Sequence, residues 1–536
     1  MRFIFSALFC VTILFSCQKD VTLIHINDTH SHLFGSDIHC KYSGSVDNFY
    51  IGGYDLIIQA VNDARKSHDS VLFLHAGDLI QGTRYFRQFQ GTADIDLMNL
   101  AKIDALELGN HEFDKGPDFL ADLLEKAKFP ILAANIQFPE GSKLKKIIKP
   151  YIITGTWPFR NGIIGVITPD TANISSPGTE IQFSDPAETV KKYVRELKNK
   201  GVSRIFVLSH LGFEEDNILA QKVEGIDVII GGHSHSAMGF SGIDCVPTEG
   251  NYPETVKDPA GRTVLIVQAW DQARALGIID LKFDFKGEIS SWDGKTIYPI
   301  RESVELPFPL KRSPFNEFVK ISPDKSSGSL FKSYEESVSN EYLKIIATST
   351  EELEHKWEKG SDIGPLVAES ILIKLKNKGY SIDISLQNAG GIRKSIHQGE
   401  ITLGDVYDIL PFFNNITIFK IKGSYLVSEL KNIIEKSSKG ASAGAFPYLA
   451  GMKFEIKNGA AVNFSVIENG ETKPVDPEKI YTVATDSYIA QGGNGYDAFY
   501  QIKEKTVTPY IVSDVFAEFL KEKSVISKPA EKHSSF

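Results

Sequence analysis

Asp28, His30, Asp78, Asn110, His210, His233 and His235 are spread over some two hundred positions of the 536-residue chain, yet their side chains are those that hold transition metals. They fall in five short segments: Asp28-x-His30, Gly77-Asp78, Gly109-Asn110-His111, His210 and His233-x-His235. Four imidazoles, two carboxylates and one amide suit two divalent transition-type ions rather than calcium, which wants mostly oxygen. Two such ions against Asp28 and Asp78 leave a net positive site, which attracts a phosphate. The chemistry indicated is hydrolysis of an anionic ester. In an extended segment side chains alternate, so each x-spaced pair is expected on one side of its backbone.

Each segment follows an apolar, β-rich run, as ligands do at the carboxyl edge of a parallel sheet. Strands are predicted over 21–26, 71–75, 105–108, 131–135, 163–168, 205–209 and 228–230, with helices over 56–64, 93–101, 119–128 and 187–199 between them. Alternation of this kind implies βαβ units. Closing strands are expected over 264–269 and 275–283. A stretch of Pro, Ser and Lys over 306–332, then a polar helix over 334–344, reads as a linker. A second α/β domain follows, with a helix over 363–376, a strand over 382–386 leading into Asn388-Ala389-Gly390-Gly391-Ile392-Arg393, a helix over 426–436 and a hairpin over 452–468. The tail after Lys521 reads as polar and frayed.

Composition narrows the function classes. A hydrophobic content of 42% supports packed cores, and a net charge of -10 argues against a binder of nucleic-acid polymers. Met1-Arg2, an apolar run to Phe15 and Ser16-Cys17 read as an export signal, too short for a normal membrane span. Leu14-Phe15-Ser16-Cys17 resembles a bacterial lipoprotein box, which implies a lipid on Cys17 and a membrane-anchored protein in the periplasm or at the cell surface. Phe15 departs from the small residue usual there, and simple cleavage or an uncleaved anchor are the alternatives. Cys40 and Cys245 remain in the folded body, either paired or as two separate thiols.

The five segments resemble the motif set of calcineurin-like metallophosphoesterases, and the chain after residue 20 resembles the secreted bacterial 5′-nucleotidase / UDP-sugar hydrolase family. The resemblance implies an α/β protein: an N-terminal four-layer α/β/β/α metallophosphoesterase domain, a connecting helix and a smaller C-terminal α/β substrate-binding domain. The boundaries expected are 1–17 for the signal, 18–305 for the catalytic domain, 306–344 for the linker and connecting helix, 345–525 for the substrate domain and 526–536 for the tail. It also implies two divalent ions, Zn, Mn or Co, one held by Asp28, His30, Asp78 and His235, the other by Asp78, Asn110, His210 and His233. His111 is then not a ligand: oriented by Asp114, it stabilises the transition state as a hydroxide activated by the metals attacks phosphorus in line.

By the same resemblance Asn388 and Arg393 contact substrate, Phe412 and Tyr488 sandwich a nucleobase, and Asn414 meets its polar edge. Two departures touch the substrate. Lys359 stands where the family carries a further phosphate-binding Arg, keeping the charge but not the planar fork. Asn494 stands where an Asp is common, so a ribose acceptor becomes a group that donates and accepts. The implied function is removal of phosphate from nucleoside 5′-phosphates, extending to UDP-sugars or other nucleotide diphosphates. The alternatives are a dimetal hydrolase acting on a sulfur-linked substrate, or a non-catalytic surface lipoprotein that binds nucleotide or metal.

Overall fold

Strands that are apolar on both faces need cover on both sides, and the runs Val21–Ile26, Val71–His75 and Arg204–His210 are buried along nearly their whole length. In the computed structural model they lie in two sheets packed face to face. The structure describes residues 20–529, except 43–44, 240–245, 247, 285, 305–317, 324–327, 339, 358–359, 439–442, 458–459 and 469, together with 534–535. The expected signal and Cys17, as well as Cys245 and Lys359, lie outside the described residues, as does the side chain of Cys40.

The chain divides into two compact units. The first takes in the chain to Gln81, Phe89–Ala172 and Ser176–Glu336; the second takes in Gly82–Gln88, Asn173–Ser175 and the chain from Ser337 onward. In the first, an eight-stranded sheet runs in the order Phe318–Ile321, Ile289–Arg301, Leu276–Phe283, Val21–Ile26, Val71–His75, Ala105–Glu107, Ile131–Leu132, Ile148–Lys149. The strands from Val21–Ile26 to Ile148–Lys149 are mutually parallel. A six-stranded sheet has at its centre the parallel strands Asn161–Ile167, Arg204–His210, Val228–Ile230 and Thr263–Val267. Leu23, Leu74, Phe206, Ile230, Leu265 and Leu281 fill the space between the sheets, each contributing about 1.5–3 kcal/mol when fully buried.

The helices cover the outer faces. Pro186–Asn199 shows why: Asp185 accepts a hydrogen bond from the Glu188 amide, proline opens the helix, and Val190, Val194 and Leu197 recur on one face that is buried. Three expectations change. The predicted linker contributes the strand Phe318–Ile321, parallel to Ile289–Arg301. The helix there spans Gly328–Ser337 rather than 334–344, with Phe331 as its buried residue. The chain past Lys521 is not frayed at once, since Val525–Ile526 pairs with Ile345–Ser349.

In the second unit a five-stranded sheet has the order Pro447–Ala450, Ile384–Asn388, Ile480–Asp486, Asn415–Lys422, Lys505–Ile511. One apolar cluster gathers Val367, Ile371, Phe516 and Leu520 on the helices Ile363–Asn377 and Val512–Lys523. A second gathers Leu430, Ile433 and Ile434 of the helix Gly423–Ser438 with Phe454 and Val466 of the hairpin Met452–Lys457/Ala460–Glu468.

A candidate metal centre and a candidate ligand ring

The loops that follow the strands Val21–Ile26 and Val71–His75 keep pairing after the strands end. The amides of Asp28, His30 and Ser31 donate to the carbonyls of Gly77, Asp78 and Leu79 at 2.9, 3.0 and 3.0 Å, and the Gln272 amide donates to the carbonyl of Asp28 at 2.7 Å. This lattice holds a backbone the sequence does not favour. Asp28, His30, Asp78, His233 and His235 all have positive φ, between 49° and 75°, a region non-glycine residues enter at a cost of order 1–3 kcal/mol each. The expectation of an extended Asp28-x-His30 is therefore corrected: both pairs sit on turns past the strand ends, and left-handed residues aim their side chains. Glycine is required at Gly109, where a Cβ would collide with the Asp78 carboxylate.

The side chains converge in three overlapping groups that could hold a metal ion: Asp28, His30 and His235; His30, Asp78 and His111; Asp78, His210 and His233. Hydrogen bonds fix which ring nitrogens face inward. The Nδ1–H of His30 donates to the carbonyl of Gln81 at 3.2 Å, and that of His235 donates to the Asp271 carboxylate at 3.1 Å. A carbonyl can only accept, so Nε2 of a neutral His30 carries a lone pair. The two Nε2 atoms stand 3.1 Å apart, with Oδ1 of Asp28 at 3.4 Å from that of His235. In the same way Nδ1–H of His210 donates to the carbonyl of Ala76 at 2.7 Å, leaving its Nε2 to face Asp78 Oδ2 at 3.2 Å and Asn110 Oδ1 at 3.3 Å. His233 presents Nδ1 to the same Asn110 oxygen at 3.0 Å. Acceptors turned on acceptors repel unless a cation lies between them, and these donor types fit a divalent transition metal.

Where no metal ion is bound, a proton takes the place of the cation on two of these rings. Burial lowers the imidazole of His210, but Asp78 and Asp28 outweigh it and raise it to about 10. His235, likewise buried, is raised to about 9 by Asp28 and Asp271. Burial and the neighbouring His210 lower His233 to about 4. Burial opposes ionisation of Asp78, yet His210 and His111 hold its carboxyl well below the usual range. Beside this cluster His111 is aimed by Asp114, whose Oδ2 lies 2.7 Å from Nδ1, and the His111 amide donates to Asp78 Oδ1 at 2.9 Å.

Two acids that the sequence reading gave no role hold the site together. The carboxylate of Glu112, only 2% exposed, accepts from four amides: Gly109 at 2.6 Å, Leu79 at 2.8 Å, Asp78 at 3.1 Å and Ile80 at 3.3 Å. It therefore ties the loop bearing Asp78 to the loop bearing Asn110. Asp271 orients His235 and pairs with Arg274, whose guanidinium lies over Trp270; that cation and His235 outweigh burial and hold the carboxyl well below its usual range. Asp271 follows the strand Thr263–Val267 at the same edge as the ligands, a signal available in the sequence. Nothing in the pattern marks the Glu112 clamp.

In the second unit the residues after three strands and turns join in a ring. Asn388, 2% exposed, donates from Nδ2 to Asn494 Oδ1 at 2.9 Å and to the carbonyl of Gly444 at 3.3 Å. The Asn494 amide donates to the Tyr488 hydroxyl at 3.1 Å. Tyr488 rides on a turn whose first amide bonds satisfy Asp486. The guanidinium of Arg393 lies 5.8 Å from the centroid of Phe412 and 4.8 Å from that of Trp357, a residue the sequence reading did not single out. Asn414 stands at the turn before Asn415–Lys422, its carbonyl accepting from the Val512 amide at 3.1 Å.

Comparison with known proteins accounts for both units. The calcineurin-like phosphoesterase model matches residues 21–237 and the 5′-nucleotidase C-terminal domain model matches residues 344–501. A probable 5′-nucleotidase of Treponema pallidum is 34% identical, over 90% of this chain and 88% of that protein. This chain belongs to the 5′-nucleotidase family of metallophosphoesterases. The NAD 5′-nucleotidase of Haemophilus influenzae is 31% identical over 94% of this chain and 90% of that protein. The crystal structure of a 5′-nucleotidase precursor from Thermus thermophilus superposes with a TM-score of 0.85 at 33% identity, covering 96% of this chain and 99% of that one. Membership carries the two-domain α/β architecture, a hydrolase activity and a requirement for divalent metal.

Proposed function

We propose that the chain is an exported two-metal phosphohydrolase that releases phosphate from nucleoside 5′-phosphates and also cleaves nucleotide diphosphates. The observation that carries the reading is the set of inward-facing ligand atoms on His30, His235, His210 and Asn110, with His111 standing beside them on its Asp114 partner. Asp28, His30, Asp78 and His235 would hold one ion; Asp78, Asn110, His210 and His233 would hold the other. Bound divalent ions supply Lewis acidity and an activated water. Asp78 would belong to both ligand sets, and Glu112 keeps its loop in register with Asn110. His111 donates a hydrogen bond to the phosphoryl oxygens as charge builds there, Asp114 holding Nδ1 so that Nε2 faces substrate.

Substrate selection belongs to the second unit. Phe412 and Tyr488 stack a base, gaining about 1–3 kcal/mol; Asn414 meets its edge, Asn494 and Asn388 meet the sugar, and Arg393 with Lys359 meets phosphate. The name of the Haemophilus relative supports extension to dinucleotides. Export and a lipid on Cys17 rest on the first seventeen residues; among the described residues no helix is long and apolar enough to cross a membrane.

The test is phosphate release by the chain from Gln18 onward, with AMP, ATP, UDP-glucose and an aryl phosphate, in Mn, Co, Zn or chelator. Metal-dependent preference for a nucleotide is expected. Turnover of the aryl phosphate alone would discard the base-binding role, and ordered nucleotide without release under any metal would leave a binding lipoprotein.

A further inference from the structure

The parallel strands that carry the metal ligands have a second end. Asp28, Asp78 and His210 stand at or past the carboxyl ends of their strands, so the opposite pole of the first unit is where those strands begin, at Val21, Val71 and Arg204. The hairpin Tyr151–Thr154/Asn161–Ile167 turns at that pole, because Asn161 pairs with Thr154 on one side and with Arg204 on the other. Its turn reads Gly155-Thr156-Trp157-Pro158-Phe159-Arg160, and the Phe159 amide closes it by donating to the Thr156 carbonyl at 2.7 Å. Trp157 is 74% exposed there. Two more large apolar side chains lie in water at the same pole: Ile153, 38% exposed, in the same hairpin, and Trp292, 40% exposed, opposite Leu281, which itself pairs with Val21. Single exposed apolar residues are ordinary, but several at one pole mark a contact surface.

The chain enters the fold beside this turn. Buried Arg204 joins the two sheets here, its guanidinium lying 5.3 Å from the Phe159 centroid and 4.2 Å from that of Phe283, two residues past Leu281. Burial lowers the pKa of that guanidinium, while Asp227 and Asp20 act in the other direction, which places Asp20 within electrostatic reach of it. Cys17 lies only three residues before Asp20, and three residues of chain span at most about 11 Å. A lipid carried on Cys17 would therefore hold this pole, with Trp157 on it, close to its bilayer.

We propose that the turn 155–160 is a membrane foot: Trp157 enters the headgroup region of the bilayer that holds the lipid on Cys17, and so fixes which way the enzyme faces. This rests on the lipid reading of Cys17. Indole rings favour the headgroup level, being apolar with one polar N–H. A chain of net charge -10 gains no general electrostatic adhesion to an anionic leaflet, so the contact is an apolar one. The strand Arg204–His210 runs from this pole to the ligands, and its rise of about 3.3 Å per residue keeps the metal edge roughly 20 Å away from the foot. The hydrolytic site then faces the water rather than the lipid.

Tryptophan quenching in vesicles tests it. The full chain is purified from a bacterial host and the mass of its N-terminal peptide is read for a lipid on Cys17. The lipidated protein is then reconstituted in phosphatidylethanolamine–phosphatidylglycerol vesicles with plain or brominated acyl chains. The part of the emission that Trp157→Phe removes should be quenched about twofold or more by the brominated chains, as for an indole at headgroup level. Trp157→Phe should release phosphate from AMP at the wild-type rate in detergent, since the turn lies at the pole away from the metal ligands. A lipidated protein whose Trp157 emission is the same in plain and brominated vesicles would overturn the foot and leave the anchor standing. An N-terminal peptide without lipid would overturn the anchor reading, and the foot with it.

Discussion

The two candidate sites are built on opposite physical plans. The metal cluster of the first unit is buried, dense in titratable groups, and carried on turns whose backbone is left-handed at five ligand positions. The ring of the second unit is half-buried and, apart from Arg393, made of amides, a phenol and aromatic faces; of its members outside glycine only Asn494 has positive φ, at 57°. Repulsion between convergent acceptors in the first region is relieved by a metal cation or, without one, by protons on His210 and His235. In the second region the groups already satisfy one another, and a ligand has to displace or extend contacts that exist. The first plan suits chemistry that needs fixed geometry; the second suits recognition of several related ligands.

That contrast can be broken most sharply at His111. Replacing it by Ala should lower kcat by about 10²–10³-fold, the usual loss of one transition-state donor, while metal content measured by elemental analysis is unchanged. Loss of metal in that variant would make His111 a ligand and remove the distinction between holding the ions and acting on phosphorus. Next comes Glu112→Gln, in which an NH2 replaces one acceptor of the four-amide clamp. Affinity for the divalent ion, read by competition with a chelator, should fall about 10–100-fold, as when other partners of metal ligands are removed. An unchanged affinity would show that the loops hold their register without it.

Phe412→Ala probes the second region and should raise KM for AMP by a factor of about 5–150, corresponding to one stacked base, with little effect on ion affinity. An equal rise for a simple aryl phosphate would show that the ring does not read the base. The last effect, on stability rather than on turnover or binding, is expected beneath the first region. Glu107 is fully buried with neither carboxyl oxygen hydrogen-bonded, and burial, then the nearby Glu112, raises its pKa well above 4.5. As pH rises past 4.5 the unfolded chain loses this proton while the folded chain keeps it. Its contribution to stability then falls by about 1.4 kcal/mol per pH unit until the folded group ionises. Glu107→Gln cannot ionise, so the Tm difference between variant and wild type should grow in the variant's favour as pH rises above 4.5; a constant difference would refute the neutral, buried acid.

Much of the first region was legible because metal ligands are few in kind and strand ends are easy to find. His210 closes an apolar run, and Asp28, Asp78 and His233 each follow one, so their meeting at one sheet edge could be anticipated from type and order. The backbone that aims them could not. Left-handed Asp and His leave no mark in composition, and the extended reading of Asp28-x-His30 came from a period-two rule that stops applying where the strand stops. Glu112 shows a different blind spot: its carboxylate serves four backbone amides, and backbone partners have no identity in a sequence. In the second unit the glycine-rich turn and the aromatics were visible, but Trp357 was not, because nothing nearby in the chain tells an indole seated on a guanidinium from one left on the surface. The strand Phe318–Ile321 was missed because it lies among Pro, Ser and Lys that read as linker, and only its pairing with Ile289–Arg301 makes it a strand.

The left-handed turns have a consequence for the life of the protein in the cell. At a cost of order 1–3 kcal/mol each, strain at five ligand positions is comparable with the whole stability margin of an ordinary domain. A bound cation would leave these φ angles in place but offset their cost, and so would act as folding energy for these loops. A chain starved of metal presents them as the first segments to open, and local opening is what proteases cut. Removal of the ion by a chelator is then expected to speed proteolytic cleavage of these loops, as well as to stop turnover.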